Sequence, residues 1–217
     1  MRIPGEEGSK AVRRKGRTLA TLAAGAAAAL GAALAVAPLA AATGDGQFAV
    51  EEAGRTTCTH FVTAREKRSS SYARLVGFLE GYMTAANRYE PNTFDLTPWH
   101  NAEALGLIVD QFCRKDENRQ ESLAMAAQRL VAAMQPYRLA EYSGLVQVKD
   151  GSSEARVYET ILKRAQTELA RKGLYRGQLD GHYSPALKTA FQDFQRSAKL
   201  DPTGIPDTPT LWVLLNP

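Results

Sequence analysis

The fold of the C-terminal part of the chain is decided by the stretch Val157-Tyr-Glu-Thr-Ile161-Leu-Lys-Arg-Ala165-Gln-Thr-Glu-Leu169-Ala-Arg-Lys-Gly173. Its apolar residues at 157, 161, 165 and 169 recur at every fourth position. That spacing places them on one face of a helix. Gly173 stands where a helix commonly ends in a left-handed residue, so the stretch predicts an amphipathic helix with a glycine end.

Two more helices are predicted downstream, each introduced by a glycine turn. After the turn Asp180-Gly181, Ser184 and Pro185 have the residue types of an N-cap and a first helical position. After Gly204, either Asp207 or Thr208 caps a short last helix. The apolar positions of these two helices are Leu187, Ala190, Phe191, Phe194, Ala198, Leu211, Leu214 and Leu215. Both segments follow one order, glycine turn, N-cap and helix, which indicates an internal repeat.

The combined pattern resembles the peptidoglycan-binding domain family. It reads Gln166…Leu169…Gly173-Leu-Tyr175-x-Gly177-x-Leu179-Asp180-Gly181-x-Tyr183-x-x-x-Leu187-x-x-Ala190-x-x-x-Phe194-Gln195…Gly204-x-x-Asp207-x-x-Thr210-Leu211. Members are three-helix modules of cell-wall enzymes and envelope proteins. The resemblance therefore implies a three-helix module over residues 153–217 with peptidoglycan as its partner.

Polar side chains around the first predicted turn are the candidate ligand-binding residues. Cell-wall peptides carry carboxylates and amides; a guanidinium offers a planar fork to a carboxylate, and amide or carboxylate side chains bind amides and hydroxyls. An alternative is that these residues only build the turn and the surface. The candidates are Tyr175, Arg176, Gln178, Asp180 and His182.

The N-terminal 42 residues have the composition of an export signal. They carry six Lys and Arg against two Asp and Glu, so the formal charge of +4 resides there and the remaining chain is neutral. A basic segment ending at Arg17 precedes an apolar run over 19–42 that ends in small residues. We predict cleavage before Thr43 and a periplasmic or cell-envelope location; the alternative is an uncleaved membrane anchor. A neutral mature chain argues against a nucleic-acid partner.

The middle of the chain predicts a small helical domain over residues 56–135, after a flexible start at 43–55. One helix is predicted from Tyr72 to Ala86, a second from Ala102 to Cys113, and a third from Asn118 to a point before Pro136. Residues 136–152 have the composition of a linker. The fold class is therefore all-α, a disulfide-linked helical domain followed by the three-helix module.

Two cysteines, Cys58 and Cys113, are present. Because an exported protein meets an oxidising compartment, we predict that they form a disulfide; the alternative is two buried thiols. The pattern Cys58-x-x-Phe61…Gly81-Tyr82…Phe112-Cys113 also resembles, loosely, small disulfide-linked periplasmic proteins such as the acid-stress chaperones of the HdeA type. The loop between Tyr89 and Trp99 departs from that likeness.

The sequence contains no recognisable catalytic constellation, and neither a metal nor a cofactor is predicted. The three histidines lack zinc-ligand spacing. Glu80, Glu90 and Asp95 are the carboxylates considered for glycan cleavage, and we interpret them as surface and turn residues. Trp99 and His100 have two interpretations, a binding site in a loop or a contact that fixes the loop to the core.

These observations predict an exported envelope protein that binds peptidoglycan without catalysis. The C-terminal module would bind the wall, and the N-terminal helical domain would meet a protein partner. Two alternatives remain open at this point. One is a periplasmic acid-stress-type chaperone or adaptor, and the other is a small cell-wall hydrolase with a targeting module.

Overall fold

The computed structural model describes residues 43, 47–151 and 153–216. The predicted export signal lies outside these residues. Within them, no helix combines the length and apolarity that a membrane span requires. The described residues from Phe48 onward form one compact unit.

Four helices form the N-terminal part of the compact unit. They are α1 (Cys58–Glu66), α2 (Ser70–Tyr89), α3 (Ala102–Cys113) and α4 (Leu123–Met134), accompanied by 3-10 helices at Glu52–Arg55, Asp116–Asn118 and Gln135–Tyr137. Helices α2 and α3 follow the prediction. Helix α4 begins after Ser122 instead of near Asn118, because the Ser122 hydroxyl accepts the hydrogen bond that caps it. Helix α1 was not predicted.

A disulfide joins the first and third of these helices. Cys58 and Cys113 are bonded, which confirms the predicted pairing, and the structure describes no free cysteine. Both cysteines are buried in a core that all four N-terminal helices share. The bridge therefore closes a long loop around this core. The central apolar members of the core are Phe61, Leu75, Leu79, Val109, Leu123 and Leu130.

Reduction of this disulfide is expected to lower the melting temperature. A bridge that closes a loop of this length typically contributes about 2–4 kcal/mol to the free energy of unfolding, since it restricts the unfolded chain. Thermal melts with and without reductant measure the effect. A Cys58→Ser, Cys113→Ser double variant should melt at the lower temperature and should not respond to reductant. Equal melting temperatures for oxidised and fully reduced protein would contradict this prediction.

A two-stranded antiparallel hairpin follows, so the chain is mostly helical but not all-α as predicted. Strand β1 (Leu145–Asp150) pairs with β2 (Ser153–Tyr158), with Val148 opposite Ala155. One face of the hairpin is buried, where Val148 and Val157 are 2% and 1% exposed. Val157, predicted in a helix, lies in strand β2 instead, opposite Val146. Val157 is buried in the core of the C-terminal module, and this tertiary packing outweighs the local helical pattern.

Three helices complete the fold and form the C-terminal module. They are α5 (Glu159–Arg171), α6 (Pro185–Ser197) and α7 (Thr208–Leu215). The glycine end of α5 is confirmed, because Gly173 has φ 75°. The Ser184 hydroxyl and the Asp207 carboxylate accept the capping hydrogen bonds of α6 and α7, as predicted. The predicted apolar face is buried, with Ile161, Ala165, Leu169, Leu187, Phe191 and Leu211 in one core.

Residues 136–152, predicted as a linker, connect the two helical parts by direct contacts. The Leu139 N–H donates to the Asp95 carbonyl at 2.8 Å, and the Leu139 carbonyl accepts from the Phe94 N–H at 2.7 Å. Leu139 itself is buried in the core of the C-terminal module. The guanidinium of Arg164, on α5, donates to the carbonyls of Tyr137 and Arg138. The two parts are therefore packed against each other.

Candidate functional site

A buried glutamine organises the turn between α5 and α6. We call residues 180–182 the first turn. Gln166 is fully buried, and its Oε1 accepts from the Gly181 N–H at 2.8 Å. Its Nε2 donates to Asp180 Oδ1 and to the His182 carbonyl, both at 3.0 Å. Asp180 Oδ1 also accepts from the His182 N–H at 2.9 Å. One side-chain amide thus satisfies three groups of the first turn.

The turn between α6 and α7 has the same construction. We call residues 203–205 the second turn. Gln195 is fully buried, and its Oε1 accepts from the Gly204 N–H at 2.7 Å. Its Nε2 donates to Thr203 Oγ1 at 3.2 Å and to the Ile205 carbonyl at 3.0 Å. Thr203 Oγ1 accepts from the Ile205 N–H at 3.1 Å, as Asp180 does in the first turn. The internal repeat is confirmed, and α6 belongs to both copies.

Both turns require glycine at their centre. Gly181 and Gly204 have φ values of 81° and 76°, which side chains rarely adopt. A Cβ on Gly181 would lie 2.7 Å from the Glu159 carbonyl oxygen, at the start of α5. The glycines therefore allow each turn to lie close to its neighbouring helix.

The two turns differ in their exposure to solvent. Ile205, in the second turn, is 1% exposed. The equivalent side chain in the first turn, His182, is 76% exposed. The Tyr183 hydroxyl joins the turns, donating to the Gly204 carbonyl at 2.7 Å. The second turn is therefore closed by the core, whereas the first turn presents its polar atoms to solvent.

The five predicted ligand-binding residues separate into two kinds. Tyr175 is 6% exposed, and its hydroxyl donates to the Gln178 carbonyl at 3.1 Å, so its ring belongs to the core. The side chains of Arg176, Gln178 and His182 are exposed. Asp180 is of both kinds. Its Oδ1 accepts the hydrogen bonds that hold the turn, whereas its Oδ2 lies 3.6 Å from Nδ1 of the exposed His182. The open surface is thus carried by Arg176, Gln178, Asp180 and His182.

Hydrogen bonding also fixes the charge of the first turn. The donated hydrogen bond from the Gln166 amide, followed by that from the His182 backbone N–H, lowers the pKa of Asp180. The carboxylate therefore stays ionised at any pH near neutrality. The anionic oxygen of Asp180, 3.6 Å from the His182 imidazole, suits amide or ammonium groups of a ligand, and the exposed Arg176 guanidinium suits carboxylates.

Sequence reasoning assigned no role to the two glutamines that build these turns. A signal was present in the spacing. Gln166 lies four residues after Leu162 and three before Leu169, and Gln195 lies four residues after Phe191. A polar residue on a buried helical face needs internal hydrogen-bond partners. The hydrogen-bond partners of Gln166 lie at least 14 residues away along the chain, and those of Gln195 lie at least 8 residues away. Only the folded turns bring these partners within hydrogen-bond distance.

Trp99 and two of the carboxylates considered for glycan cleavage contact other residues of the protein. Trp99 is 6% exposed and belongs to the core of the C-terminal module, which supports the interpretation that it fixes the loop. Asp95 Oδ1 accepts from the Thr97 N–H, and Glu90 Oε2 accepts from the Gln135 amide. Across the described part of the chain, no three His, Cys, Asp or Glu side chains gather in a group suited to a metal ion.

Comparison with known proteins agrees with this geometry. No curated protein and no solved structure matches the chain. A family model does match it, over α5, both turns and nearly all of α7. Residues 159–214 match the family described as putative peptidoglycan binding domain, which confirms the resemblance seen in the sequence.

Proposed function

We propose that the protein is exported to the cell envelope and binds peptidoglycan without cleaving it, through the first turn of its C-terminal module. The N-terminal helices would serve a protein partner. The family match over residues 159–214 carries the proposal. The periplasmic location rests on the composition of residues 1–42, and the disulfide between Cys58 and Cys113 suits an oxidising compartment.

The contact surface comprises the exposed first turn and the exposed residues Arg176 and Gln178 that precede it. Arg176 offers a planar fork for a peptide carboxylate, and Gln178 offers both a donor and an acceptor to peptide amides. The Asp180 carboxylate, held by Gln166, accepts from amide or hydroxyl groups. Such exposed contacts are individually weak, and the wall offers many equivalent sites, so repeated binding compensates for low affinity.

Removal of the Arg176 guanidinium is expected to weaken wall binding. The full exported chain, residues 43–217, is mixed with purified sacculi and its sedimentation is measured. We expect Arg176→Ala to lower the apparent affinity roughly two- to fivefold, because an exposed charge pair contributes up to about 1 kcal/mol. Arg176→Lys should restore it only in part, since an ammonium lacks the planar fork. EDTA should have no effect, and added salt should weaken binding modestly.

Arg196 provides the matched control. Its side chain is 57% exposed on α6, so Arg196→Ala removes the same charge from the same module away from the first turn. Sedimentation of the two alanine variants to an equal extent would rule out the first turn as the contact surface. Failure of the unmodified chain to sediment would overturn the proposed function. Soluble wall fragments are measured in the supernatant, and their release would indicate a hydrolase instead.

A further inference from the structure

A cleft of about 600 Å³ lies where the C-terminal module meets the N-terminal part. Helices α5 and α7 form two of its sides. The residues that close it come from outside the matched family region, namely Trp99 in the loop and Pro136 and Tyr137 in the 3-10 helix. Its volume is within the range of about 300–1,000 Å³ that is typical of small-molecule sites. Because both parts contribute to it, the cleft is a feature of this chain and not of the module alone.

One side of the cleft is a polar helical face. Arg164, Thr167, Glu168 and Arg171 line it from α5, at the three-and-four spacing of neighbours on one helical surface, and Lys172 follows at the end of the helix. Three of these five side chains are cationic and one is anionic. The cleft thus has a net positive charge, which favours an anionic ligand.

The cations differ in how free they are to bind. Arg164 is occupied, because it donates to the carbonyls of Tyr137 and Arg138 and so holds the 3-10 helix against α5. The side chain of Arg171 is 73% exposed, and its one ion pair within the described residues is with Glu168, at 3.0 Å. An exposed pair of this kind contributes little to stability, so a ligand carboxylate can compete for the guanidinium. Lys172 lies 5.9 Å from the Phe194 ring centroid and supplies a second charge.

The opposite side is apolar and includes a polar atom without a partner. Val213, Leu214 and Leu215 line it from α7, and the edge of the Tyr137 ring meets Trp99 with ring centroids 5.9 Å apart. Trp99 lines the cleft and is 6% exposed, yet its indole N–H has no hydrogen-bond partner in the part of the chain that the structure describes. A buried donor without a partner is uncommon in a folded protein and gains a hydrogen bond wherever an acceptor reaches it.

From these observations we propose that the cleft binds a short peptide with a free carboxylate. Arg171 and Lys172 bind the carboxylate, the small apolar side chains of the peptide lie against α7, and a peptide carbonyl accepts from the Trp99 indole. The proposal rests on the proposed function, since it names the wall peptide as the part of the wall that is bound. It adds a second site to the first turn.

The Trp99 indole N–H provides a direct measurement. The chain contains only two tryptophans, so its ¹H–¹⁵N spectrum shows two indole signals, and Trp212→Phe assigns them. The full exported chain is titrated with N-acetyl-alanyl-alanine, in both its D and L forms, and with the same peptides amidated at the C-terminus. We expect the Trp99 signal to shift with the free-acid peptide, with a dissociation constant in the millimolar range, and the amidated peptide to bind at least fivefold more weakly.

Three variants test the assigned residues. Arg171→Gln should weaken the peptide about fivefold, and Thr167→Trp, at an exposed position, should fill the cleft and abolish the titration. Arg196→Gln is the matched control, because Arg196 also pairs with a carboxylate three residues earlier, Asp193, and lies outside the cleft. It should leave the titration unchanged.

The outcomes separate this proposal from the proposed function. A Trp99 signal that does not move with any peptide, in a chain that sediments with sacculi, overturns the cleft and leaves wall binding intact. Equal binding of the free-acid and amidated peptides, or an equal loss in Arg171→Gln and Arg196→Gln, also overturns it. A titration that depends on Arg171 in a chain that does not sediment supports the cleft and overturns the proposed function.

Discussion

Replacement of Gln195 by leucine is expected to destabilise the protein by about 4 kcal/mol. The side chain of Gln195 is fully buried and bonds four groups, of which the Gly204 N–H and the Ile205 carbonyl are themselves in buried residues. Leucine has a similar size but leaves these backbone groups without partners. Each buried group that loses its hydrogen bond costs about 1–3 kcal/mol, and the Thr210 hydroxyl adds to the loss. Chemical denaturation measures the change in the free energy of unfolding.

The repeat supplies an internal comparison for this prediction. Gln166→Leu removes the equivalent hydrogen bonds from the first turn, but water can reach Asp180 and His182 there. We therefore expect a smaller loss, about 2 kcal/mol, for that variant. Gln192→Leu, in the same helix as Gln195, should cost little, because its side chain makes no hydrogen bond to the described residues. An equal cost for all three variants would contradict the role assigned to the buried amides.

Acidification is expected to destabilise the protein through His100. Both ring nitrogens of His100 are buried and have no hydrogen-bond partner among the described residues, and the ring contacts Trp99 and Trp212, with centroids 5.2 and 5.4 Å away. Burial lowers the pKa of His100 to about 4. The unfolded chain, with a pKa of about 6.5, therefore binds a proton that the folded protein rejects. Neutral His100 therefore contributes about 3 kcal/mol to the free energy of unfolding above a pH of about 6.5. This contribution is lost as the pH falls from about 6.5 to about 4.

A non-titrating aromatic residue isolates this effect. Between pH 7 and 4, the free energy of unfolding should fall less in His100→Phe than in the unmodified protein. The difference between the two falls should be up to about 3 kcal/mol. His60→Phe, at an exposed position of α1, is the matched control and should follow the unmodified protein. Asp180 does not interfere, because its lowered pKa places its own loss of stability below pH of about 4. Parallel pH profiles for the unmodified protein and His100→Phe would contradict the prediction.

Local chemistry explains which features the sequence could predict. Ser184, Asp207 and Gly173 act through hydrogen bonds and dihedral angles within a few residues of themselves, so their residue types alone indicate helix starts and a helix end. The disulfide followed from the cysteine count and the predicted compartment. The exposed polar residues of the first turn were also identified, although Tyr175 proved to be a core residue.

The features that were missed depend on distant parts of the chain. Helix α1 buries only Cys58, Phe61 and Ala64, which is too weak a pattern to recognise, and much of what covers it comes from α3. The hairpin is specified by burial of Val148 and Val157 against the C-terminal core. The cleft is formed by α5, α7, the 3-10 helix and the loop together. No contiguous stretch of sequence could therefore predict it.

The packing of Trp99 and Leu139 into the C-terminal core has a consequence for anything bound to the protein. Modules on a flexible tether sample many orientations, and their ligands meet at an effective concentration set by tether length. Here Trp99 and Leu139 pack into the C-terminal core, and Arg164 on α5 donates to the Tyr137 carbonyl. A partner bound to helices α1–α4 would consequently keep a constant distance and orientation relative to a ligand bound at the first turn.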